Sequence, residues 1–396
     1  MATITTPITE LFGIKHPVLL AGMNVAAGPE LAAAVTNAGG LGVIGGVGYT
    51  PKILRQQVST PNPLTRLSHL GPFFFAPDNA PNQSFSDMFA RNGLKKEVGA
   101  LIQAIKKDLV DKNGPFGVDL LLPQVGGSAR KTNYDYTKGQ LPELLDVIIE
   151  EKARLFVSAV GVPPKEAVDR LHKAGIPVMN MVGHPKHVQK ALDVGVDIIC
   201  AQAGEGGGHT GDIPASILIP ACVDAVKGHK SPLTGGPVYV IGAGAVHDGR
   251  ALAANLAWGA QAVWVGTRFV ASVEAGAPKL HKELVVSAGY EDAVTTLIYT
   301  GRPLRVRNTP YVKDWNENRA AEIKELTSKG IIPHYRELEN DPSKSIPGRP
   351  WLMGRVAALI HEVLPAKVIV DNMVNEAAAI LEKNASLVKV SPRTKL

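Results

Sequence analysis

The sequence is poor in cysteine and lacks long hydrophobic runs, and both absences narrow the classes of protein it can belong to. Its two cysteines, Cys200 and Cys222, are too few for a disulfide framework and lack the spacing of a zinc site. No charge-free stretch of about 18 or more apolar residues occurs, so no membrane-spanning helix is predicted. The opening MATITTPITELFG has no basic segment before an apolar core, so no signal peptide is expected. A reducing, cytoplasmic location is the prediction.

The last three residues allow a second location. Thr394, Lys395 and Leu396 loosely resemble the Ser-Lys-Leu address of peroxisomal proteins. A peroxisomal location is therefore the alternative prediction.

Charge is modest and spread along the chain. The net charge is +6, from 42 Lys and Arg against 36 Asp and Glu, and apolar residues make up 45%, as in ordinary globular proteins. The densest basic cluster is Arg302, Arg305, Arg307 and Lys313. A solvated face is the favoured interpretation and a patch that attracts an anionic ligand is the alternative. Neither a nucleic-acid partner nor a membrane partner is predicted.

Short apolar, β-rich runs alternate with helical segments along most of the chain. The eight runs are 16–21, 41–46, 116–122, 155–160, 177–182, 197–201, 238–241 and 262–266. Runs that are apolar on both faces and alternate with helices indicate a parallel sheet covered on both sides. Eight of them predict an α/β fold of the (β/α)8 TIM-barrel type rather than an open sheet.

The rhythm of the runs also predicts the domain organisation. Residues 1–272 form the barrel, with a Pro-, Asn- and Ser-rich insertion at 60–92 and a helix over 93–110 that returns the chain to it. Residues 273–396 are predicted to form a smaller, mostly helical region packed on the barrel. Apolar residues recur at three- and four-residue intervals over 351–363 and 366–383, which predicts two amphipathic helices there.

Glycine-rich segments follow the predicted strands where a barrel carries its active site. Segment 242–244 follows the seventh run and segment 266–267 the eighth, and barrels build phosphate sites from those two loops. Tight strand-to-helix turns are the alternative explanation. The spacing from Gly242 through Gly244 to Gly249 does not match the dinucleotide fingerprint.

One histidine stands among glycines after the sixth run, in the segment GGGHTG at 206–211. A histidine held between glycines has little packing to do, so His209 is predicted to transfer a proton or to bind an anionic centre. His184 and His187 have a metal-like spacing, but no carboxylate or cysteine cluster accompanies them, and no metal is predicted.

These segments resemble the nitronate monooxygenase family, formerly called 2-nitropropane dioxygenases, over most of the chain. The histidine motif, AQAGEGGGHTG at 201–211, is the most specific of them. The other matching segments are 17–23, 30–42, 116–123, 248–269, Thr300 to Arg302, and Asn308.

The resemblance implies noncovalently bound FMN at the barrel mouth and His209 as the catalytic residue. It implies that 22–24 border the isoalloxazine, that Gln202 hydrogen-bonds it, and that the loops after the seventh and eighth strands hold the phosphate. The implied cofactor residues are Gly22, Met23, Asn24, Asp119, Gln202, Gly207, Gly208, Gly242, Ala243, Gly244, Gly266 and Thr267. Asp119 stands where the family usually has Asn, so an anion is expected in place of a neutral amide donor.

The implied reaction is oxidation of an alkyl nitronate or nitroalkane with O2 to a carbonyl compound and nitrite. His209 would orient the anion or remove the α-proton of a neutral nitroalkane. Two alternatives stay open: an NAD(P)H:quinone or enoyl-thioester reductase, and a non-catalytic flavin- or phosphate-binding barrel. The sequence makes no prediction of oligomeric state.

Overall fold

The computed structural model of the chain describes residues 2–46 and 103–388. The predicted insertion at 60–92 and the C-terminal Thr394, Lys395 and Leu396 lie outside the described residues. Of the predicted helix over 93–110, the described part is helical at 103–108.

Eight parallel strands form a closed barrel. Within the described residues the strands are β1 Val18–Leu20, β2 Gly42–Gly46, β3 Phe116–Leu121, β4 Leu155–Ala159, β5 Val178–Val182, β6 Ile198–Gln202, β7 Gly208–His209, β8 Tyr239–Ala243, β9 Ala262–Val265, β10 Ala293–Thr296 and β11 Leu304–Arg307. The barrel order is β1-β9-β8-β6-β5-β4-β3-β2. Leu20 N donates to Leu41 O at 2.9 Å, which brings β1 beside β2. The predicted TIM barrel and all eight of its strands are confirmed.

Helices cover the barrel and build most of the C-terminal region. They are α1 Pro7–Phe12, α2 Pro29–Asn37, α3 Leu141–Glu150, α4 Lys165–Lys173, α5 Val188–Asp193, α6 Ala215–Ala225, α7 Gly249–Ala257, α8 Thr267–Val270, α9 Lys279–Val286, α10 Pro310–Asn318, α11 Ala320–Ser328, α12 Pro333–Asn340 and α13 Ala366–Ala385. Several begin at proline, whose fixed φ suits the first helical turn. None of the helices in the described ranges is long and apolar enough to cross a membrane.

The barrel strands are buried on both faces, as their continuous apolar runs predict. One cluster of buried residues, including Leu19, Val157 and Ile241, fills the interior. Ile8 and Phe12 of α1 belong to the same cluster, and α1 precedes β1 directly, so this helix closes the amino-terminal end of the barrel. The functional loops therefore lie at the opposite, carboxyl-terminal end.

The C-terminal region contains a sheet that the sequence analysis missed. Strands β10, β11 and β7 form an antiparallel sheet, in which His209 on β7 pairs with Leu304 on β11. A strand from the histidine motif thus joins the barrel to the region after residue 272. Strand β11 is short and half polar, so its pattern does not stand out from a helix or loop.

The predicted helix over 351–363 is wrong. The chain there pairs with β11 instead: Arg307 N donates to Trp351 O at 2.8 Å, and Leu352 bridges to Val306. A 3-10 turn at Arg355–Leu359 follows. The predicted helix over 366–383 is confirmed as α13, which packs on α7 and α2 of the barrel. The division at residue 272 stays a prediction.

Candidate active site

The carboxyl ends of the barrel strands open into a cavity of about 1260 Å³. Eleven of the twelve predicted cofactor residues and the predicted catalytic residue line it: Gly22, Met23, Asn24, Asp119, Gln202, Gly207, Gly208, His209, Ala243, Gly244, Gly266 and Thr267. Gly242 lies outside this lining. A Cβ at Gly242 would stand 1.8 Å from Asn255 Oδ1 on α7, so helix packing accounts for this glycine.

His209 is held at the cavity by two contacts. Its backbone oxygen accepts a hydrogen bond from Gln202 Nε2 at 2.7 Å, and its Nε2 lies 3.2 Å from Thr300 Oγ1. Burial, with a smaller contribution from the charge of Arg302, lowers the pKa of His209 to about 4. The imidazole is therefore neutral at pH 7, which makes it a hydrogen-bonding group and a weak base.

Arg302 is fixed beside His209 by two hydrogen bonds to the barrel loops. Its Nε donates to Asn133 Oδ1 and its Nη1 to Val160 O, both at 2.8 Å. No carboxylate of the described ranges lies within ion-pair distance of this guanidinium. The charge of Arg302 therefore stays available to an anionic ligand in the cavity.

Val160, which accepts one of these bonds, has an unusual backbone. It follows β4 with a φ of 69°, a left-handed conformation that is a genuine outlier for a β-branched residue. In this conformation the carbonyl of Val160 accepts the hydrogen bond from Arg302 Nη1. Two hydrogen bonds hold the chain on either side of Val160, since Asn180 Nδ2 donates to Ser158 O at 2.9 Å and to Gly161 O at 2.7 Å. Such strain is typical of functional loops.

Asp119 lies on β3 at the base of the cavity. The sequence analysis expects an anion here, and the surroundings of the carboxyl favour its neutral form instead. It is 2% exposed, and its Oδ1 has no hydrogen-bond partner among the residues described. Burial raises the pKa of this carboxyl to about 8, so it is mostly neutral at pH 7. Two glycines make the space for it, since a Cβ at Gly22 or Gly45 would come within 2.5 Å of the Asp119 side chain.

The two loops predicted to hold a phosphate border the cavity through their backbones. Gly244 has a φ of 98°, and a Cβ there would stand 3.0 Å from Ala203 Cβ. At Gly266 a Cβ would meet Ala21 Cβ at 3.5 Å, an ordinary contact. Thr267 Oγ1 accepts a hydrogen bond from Gly354 N at 2.9 Å, which ties the C-terminal region to this side of the site.

The amino terminus of α7, by contrast, is occupied by carboxylates. Asp248 Oδ1 accepts from Ala251 N at 3.0 Å, and Glu376 Oε2 accepts from Gly249 N at 2.7 Å. These two acids repel a phosphate from the first turn of α7. A phosphate at this end of the barrel would therefore meet the 243–246 and 266–267 loops rather than the end of α7.

The basic cluster of the sequence analysis divides in the structure. Arg302 lines the cavity, but Arg305 is buried and donates to Gly204 O at 2.7 Å, and Arg307 pairs with Asp292 at 3.1 Å. Neither of these two lines the cavity. The positively charged lysines at its mouth are Lys186 and Lys190.

His184 and His187 lie at the same mouth, with ring centroids 6.0 Å apart. The ranges described contain no group of three or more His, Cys, Asp or Glu side chains that could hold a metal. The sequence analysis missed Asn133, Val160 and Asn180. Each acts through a contact between distant segments, and no local motif marks such a contact.

Comparison with known proteins places this site in a family context. The sequence model of nitronate monooxygenase matches residues 5–376. A protein from Staphylococcus haemolyticus named "Probable nitronate monooxygenase" is 29% identical over 86% of this chain and 85% of its own. A hydroxy-methyl-oxo-octahydro-indene-carboxyl-CoA dehydrogenase from Rhodococcus jostii is 31% identical over 79% of this chain and 68% of its own. The solved structure of FabK from Thermotoga maritima has a TM-score of 0.68 at 26% identity, covering 98% of this chain and all of that one.

Proposed function

We propose, on the premise that this chain belongs to the nitronate monooxygenase family of flavin-dependent oxidoreductases, that it binds FMN and oxidises small alkyl nitronates with O2. The products are a carbonyl compound and nitrite. The observation that carries the proposal is the pairing of a neutral, half-buried His209 with an arginine whose charge no described carboxylate balances.

The residues present fit a flavin mononucleotide. Glycine backbones border the cavity at Gly22, Gly244 and Gly266, so a flat ring and a phosphate can approach the main chain closely. Asp119, whose Oδ1 has no hydrogen-bond partner among the described residues, lies in the lining of the same cavity. When bound, the flavin supplies the redox chemistry and the reaction with O2, which protein side chains alone do not provide.

Arg302 and His209 are proposed to hold the substrate anion. A nitronate carries its negative charge on two oxygens, and the guanidinium of Arg302 offers a planar pair of donors to such a group. Its Nη2 donates to none of the described residues, so this nitrogen is free to do so. His209, neutral at pH 7, adds one hydrogen bond from β7.

The low pKa of His209 also selects between substrate forms. A base with a pKa of about 4 removes a proton from a neutral nitroalkane poorly, because catalysis is best when the pKa of the base lies near the working pH. A preformed nitronate needs no such step. The preferred substrate is therefore the nitronate anion rather than the neutral nitroalkane.

Replacement of Arg302 tests this assignment. The wild-type protein should be yellow, release FMN on denaturation and turn over ethylnitronate. Arg302→Met should bind FMN normally and raise KM for the nitronate by about tenfold to a hundredfold, the loss of one charge-assisted hydrogen bond or two. Arg302→Lys keeps the charge but lacks the planar pair of donors, so its KM for the nitronate should lie between those of the wild type and Arg302→Met. Unchanged KM in Arg302→Met would remove this residue from the substrate site.

A second candidate is a flavin-dependent oxidoreductase of acyl thioesters or of quinones. The Rhodococcus relative acts, by its name, on a carboxyl-CoA compound, and a cavity of about 1260 Å³ exceeds the range of about 300–1,000 Å³ typical for one small ligand. Lys186 and Lys190 at the mouth would face the phosphates of a CoA or NAD(P)H ligand. Anaerobic reduction of the flavin by nitronate, by NADH and by an acyl-CoA compound separates this candidate from the nitronate oxidase.

A further inference from the structure

Within the part of the chain that the structure describes, the buried carboxyl of Asp119 has neither a cation nor a full set of hydrogen bonds. Its Oδ1 is fully buried and unpartnered within the described ranges, yet the residue lines the cavity proposed for the flavin. A buried polar atom normally has a partner, and the partner here can come from the ligand. The cofactor is therefore the candidate for the group that completes the hydrogen bonding of Asp119.

The described elements beside Asp119 present no positive charge that would stabilise an anion. In the barrel register Asp119 lies between Gly45 on β2 and Val157 on β4, and Gly22, after β1, packs against its carboxyl. Among the described residues, the ionisable group that interacts with it electrostatically is the buried Cys200 on β6. That thiol has its own pKa raised by burial and stays neutral, so no charge of the described residues favours ionisation of Asp119.

We propose that Asp119 works as a neutral acid, donating its carboxyl proton in a hydrogen bond to an acceptor atom of FMN, so that cofactor binding requires this carboxyl to be protonated. The inference rests on the FMN part of the proposed function. It makes Asp119 a proton-linked substitute for the amide that the family resemblance places at this position. An ionised carboxylate, which can only accept, would leave a ligand acceptor unpaired and repel the electron-rich reduced flavin.

Protonation of Asp119 and binding of FMN are linked, so the Kd for FMN should depend on pH in a direction that an experiment can measure. In the free protein the pKa of Asp119 is about 8, so above pH 8 binding must be accompanied by uptake of a proton. The apparent Kd for FMN should then rise about tenfold between pH 7 and pH 9 and continue upward by about tenfold per pH unit. The FMN phosphate is already doubly ionised over this range, since its second pKa is about 6.

The matched variant is Asp119→Asn, which has the same shape, keeps a donor and cannot ionise. Titration of the apoprotein with FMN, followed by quenching of flavin fluorescence, should give a Kd for Asp119→Asn that changes little from pH 7 to pH 9.5. Asp119→Ala, which lacks the donor, should bind FMN more weakly than Asp119→Asn at every pH, and its Kd should also change little with pH. Infrared difference spectra of the wild-type FMN complex at pH 8.5 should show a protonated-carboxyl band that Asp119→Asn lacks.

Stability of the apoprotein provides a readout independent of the cofactor. Because the folded pKa lies above the ordinary value of about 4, the contribution of Asp119 to stability should fall as the pH rises from about 4 to about 8 and then level off. The lowered pKa values of His209 and His334 act in the opposite sense, but they do so equally in the wild type and in Asp119→Asn. Asp119→Asn should escape this loss, so its apo melting temperature should exceed that of the wild type at pH 8 and match it near pH 4.

Three results would overturn the inference. These are a wild-type Kd with the same pH dependence as that of Asp119→Asn, binding by Asp119→Ala as tight as that by Asp119→Asn, and absence of the protonated-carboxyl band. Any of them, found in an enzyme that still oxidises nitronate, leaves the proposed function standing. If neither the wild type nor Asp119→Asn binds FMN at any pH, the cofactor proposal falls together with this inference.

Discussion

Arg302 Nε donates to Asn133 Oδ1 at 2.8 Å, joining two residues that lie 169 positions apart in the sequence. Asn133 follows β3 in the barrel, and Arg302 precedes β11 in the C-terminal region. The bond fixes the guanidinium at the cavity from outside its own segment. The two parts of the chain therefore build one proposed anion site together.

Asn133→Ala should loosen this guanidinium without removing its charge. We expect KM for the nitronate to rise about fivefold to tenfold, about 1 kcal/mol, with a smaller change in kcat. A hydrogen bond to a charged group contributes about 1.5–3 kcal/mol, and only part of it is lost from substrate binding because Asn133 positions the guanidinium and does not contact the substrate. Steady-state kinetics at fixed O2 measures it. Lys131→Ala, an exposed change in the same loop, serves as the control and should behave as the wild type. Equal kinetics of both variants would mean that Arg302 keeps its position without Asn133.

His209→Asn should retain FMN and raise KM for the nitronate about threefold to tenfold, because it replaces the imidazole that helps to hold the anion. The neutral nitroalkane should stay a poor substrate of both proteins, since a base with a pKa of about 4 falls well short of the roughly 10²–10⁴-fold that efficient general-base catalysis contributes. The imidazole stays neutral between pH 6 and pH 8, so kcat/KM for the nitronate should be flat over this range. The measurement is a pH profile for each substrate form.

Two outcomes would change the role of His209. A kinetic pKa near 6.5 in the wild type, absent from His209→Asn, would show that the imidazole is not desolvated as described. A loss on the neutral nitroalkane about 10²-fold larger than the loss on the nitronate would make His209 a general base rather than a binding residue.

Much of the fold follows from the sequence, because the barrel strands are buried on both faces and read as continuous apolar runs. The predictions that fail concern segments whose structure depends on contacts with distant parts of the chain. Residues 351–363 have helical periodicity, but pairing of Leu352 with Val306 outweighs it. Two-residue β7 has no periodicity at all, and its strand character depends entirely on β11.

The site was predictable where local backbone chemistry marks it. Glycines at strand ends located the cavity, and His209 stands out among them. The ionisation state of Asp119 was not predictable, because it depends on which neighbours surround the carboxyl after folding. Gly242 is a different case: the sequence analysis assigns it to the phosphate loop, but in the structure it packs against Asn255 and lies outside the cavity lining.

Gly266→Asp should expel FMN, while Gly266→Ala should keep it. The backbone at this position has an ordinary negative φ of −107°, and a Cβ meets its nearest neighbour at 3.5 Å, so alanine fits without strain. Aspartate adds a negative charge beside the proposed phosphate, which like-charge repulsion disfavours. Flavin absorbance of the two purified variants, with circular dichroism to confirm folding, gives the comparison. Retention of FMN by a folded Gly266→Asp would move the phosphate away from this loop.

Nitronate should reduce the flavin faster than NADH does. A nitronate is a small anion that Arg302 and His209 can hold together, whereas NADH also needs a groove for its pyrophosphate and adenine. Arg305 and Arg307 do not provide that groove, since both are bound within the protein. The cavity lining offers a second phosphate group the two lysines at the mouth, Lys186 and Lys190, and the exposed Arg130.

Anaerobic stopped-flow mixing with each reductant, followed by flavin bleaching, tests this order. The same mixing with an acyl-CoA compound tests the thioester candidate, and the double variant Lys186→Gln, Lys190→Gln provides the control. For a nitronate oxidase this variant should leave nitronate reduction unchanged, because the two lysines lie at the mouth and exposed charges act weakly at a distance in salt. If NADH or the CoA compound bleaches the wild-type flavin within seconds while nitronate leaves it oxidised, the reductase or dehydrogenase assignment replaces ours. A several-fold weaker affinity for that reductant in the double variant would then identify the lysines as its phosphate contacts.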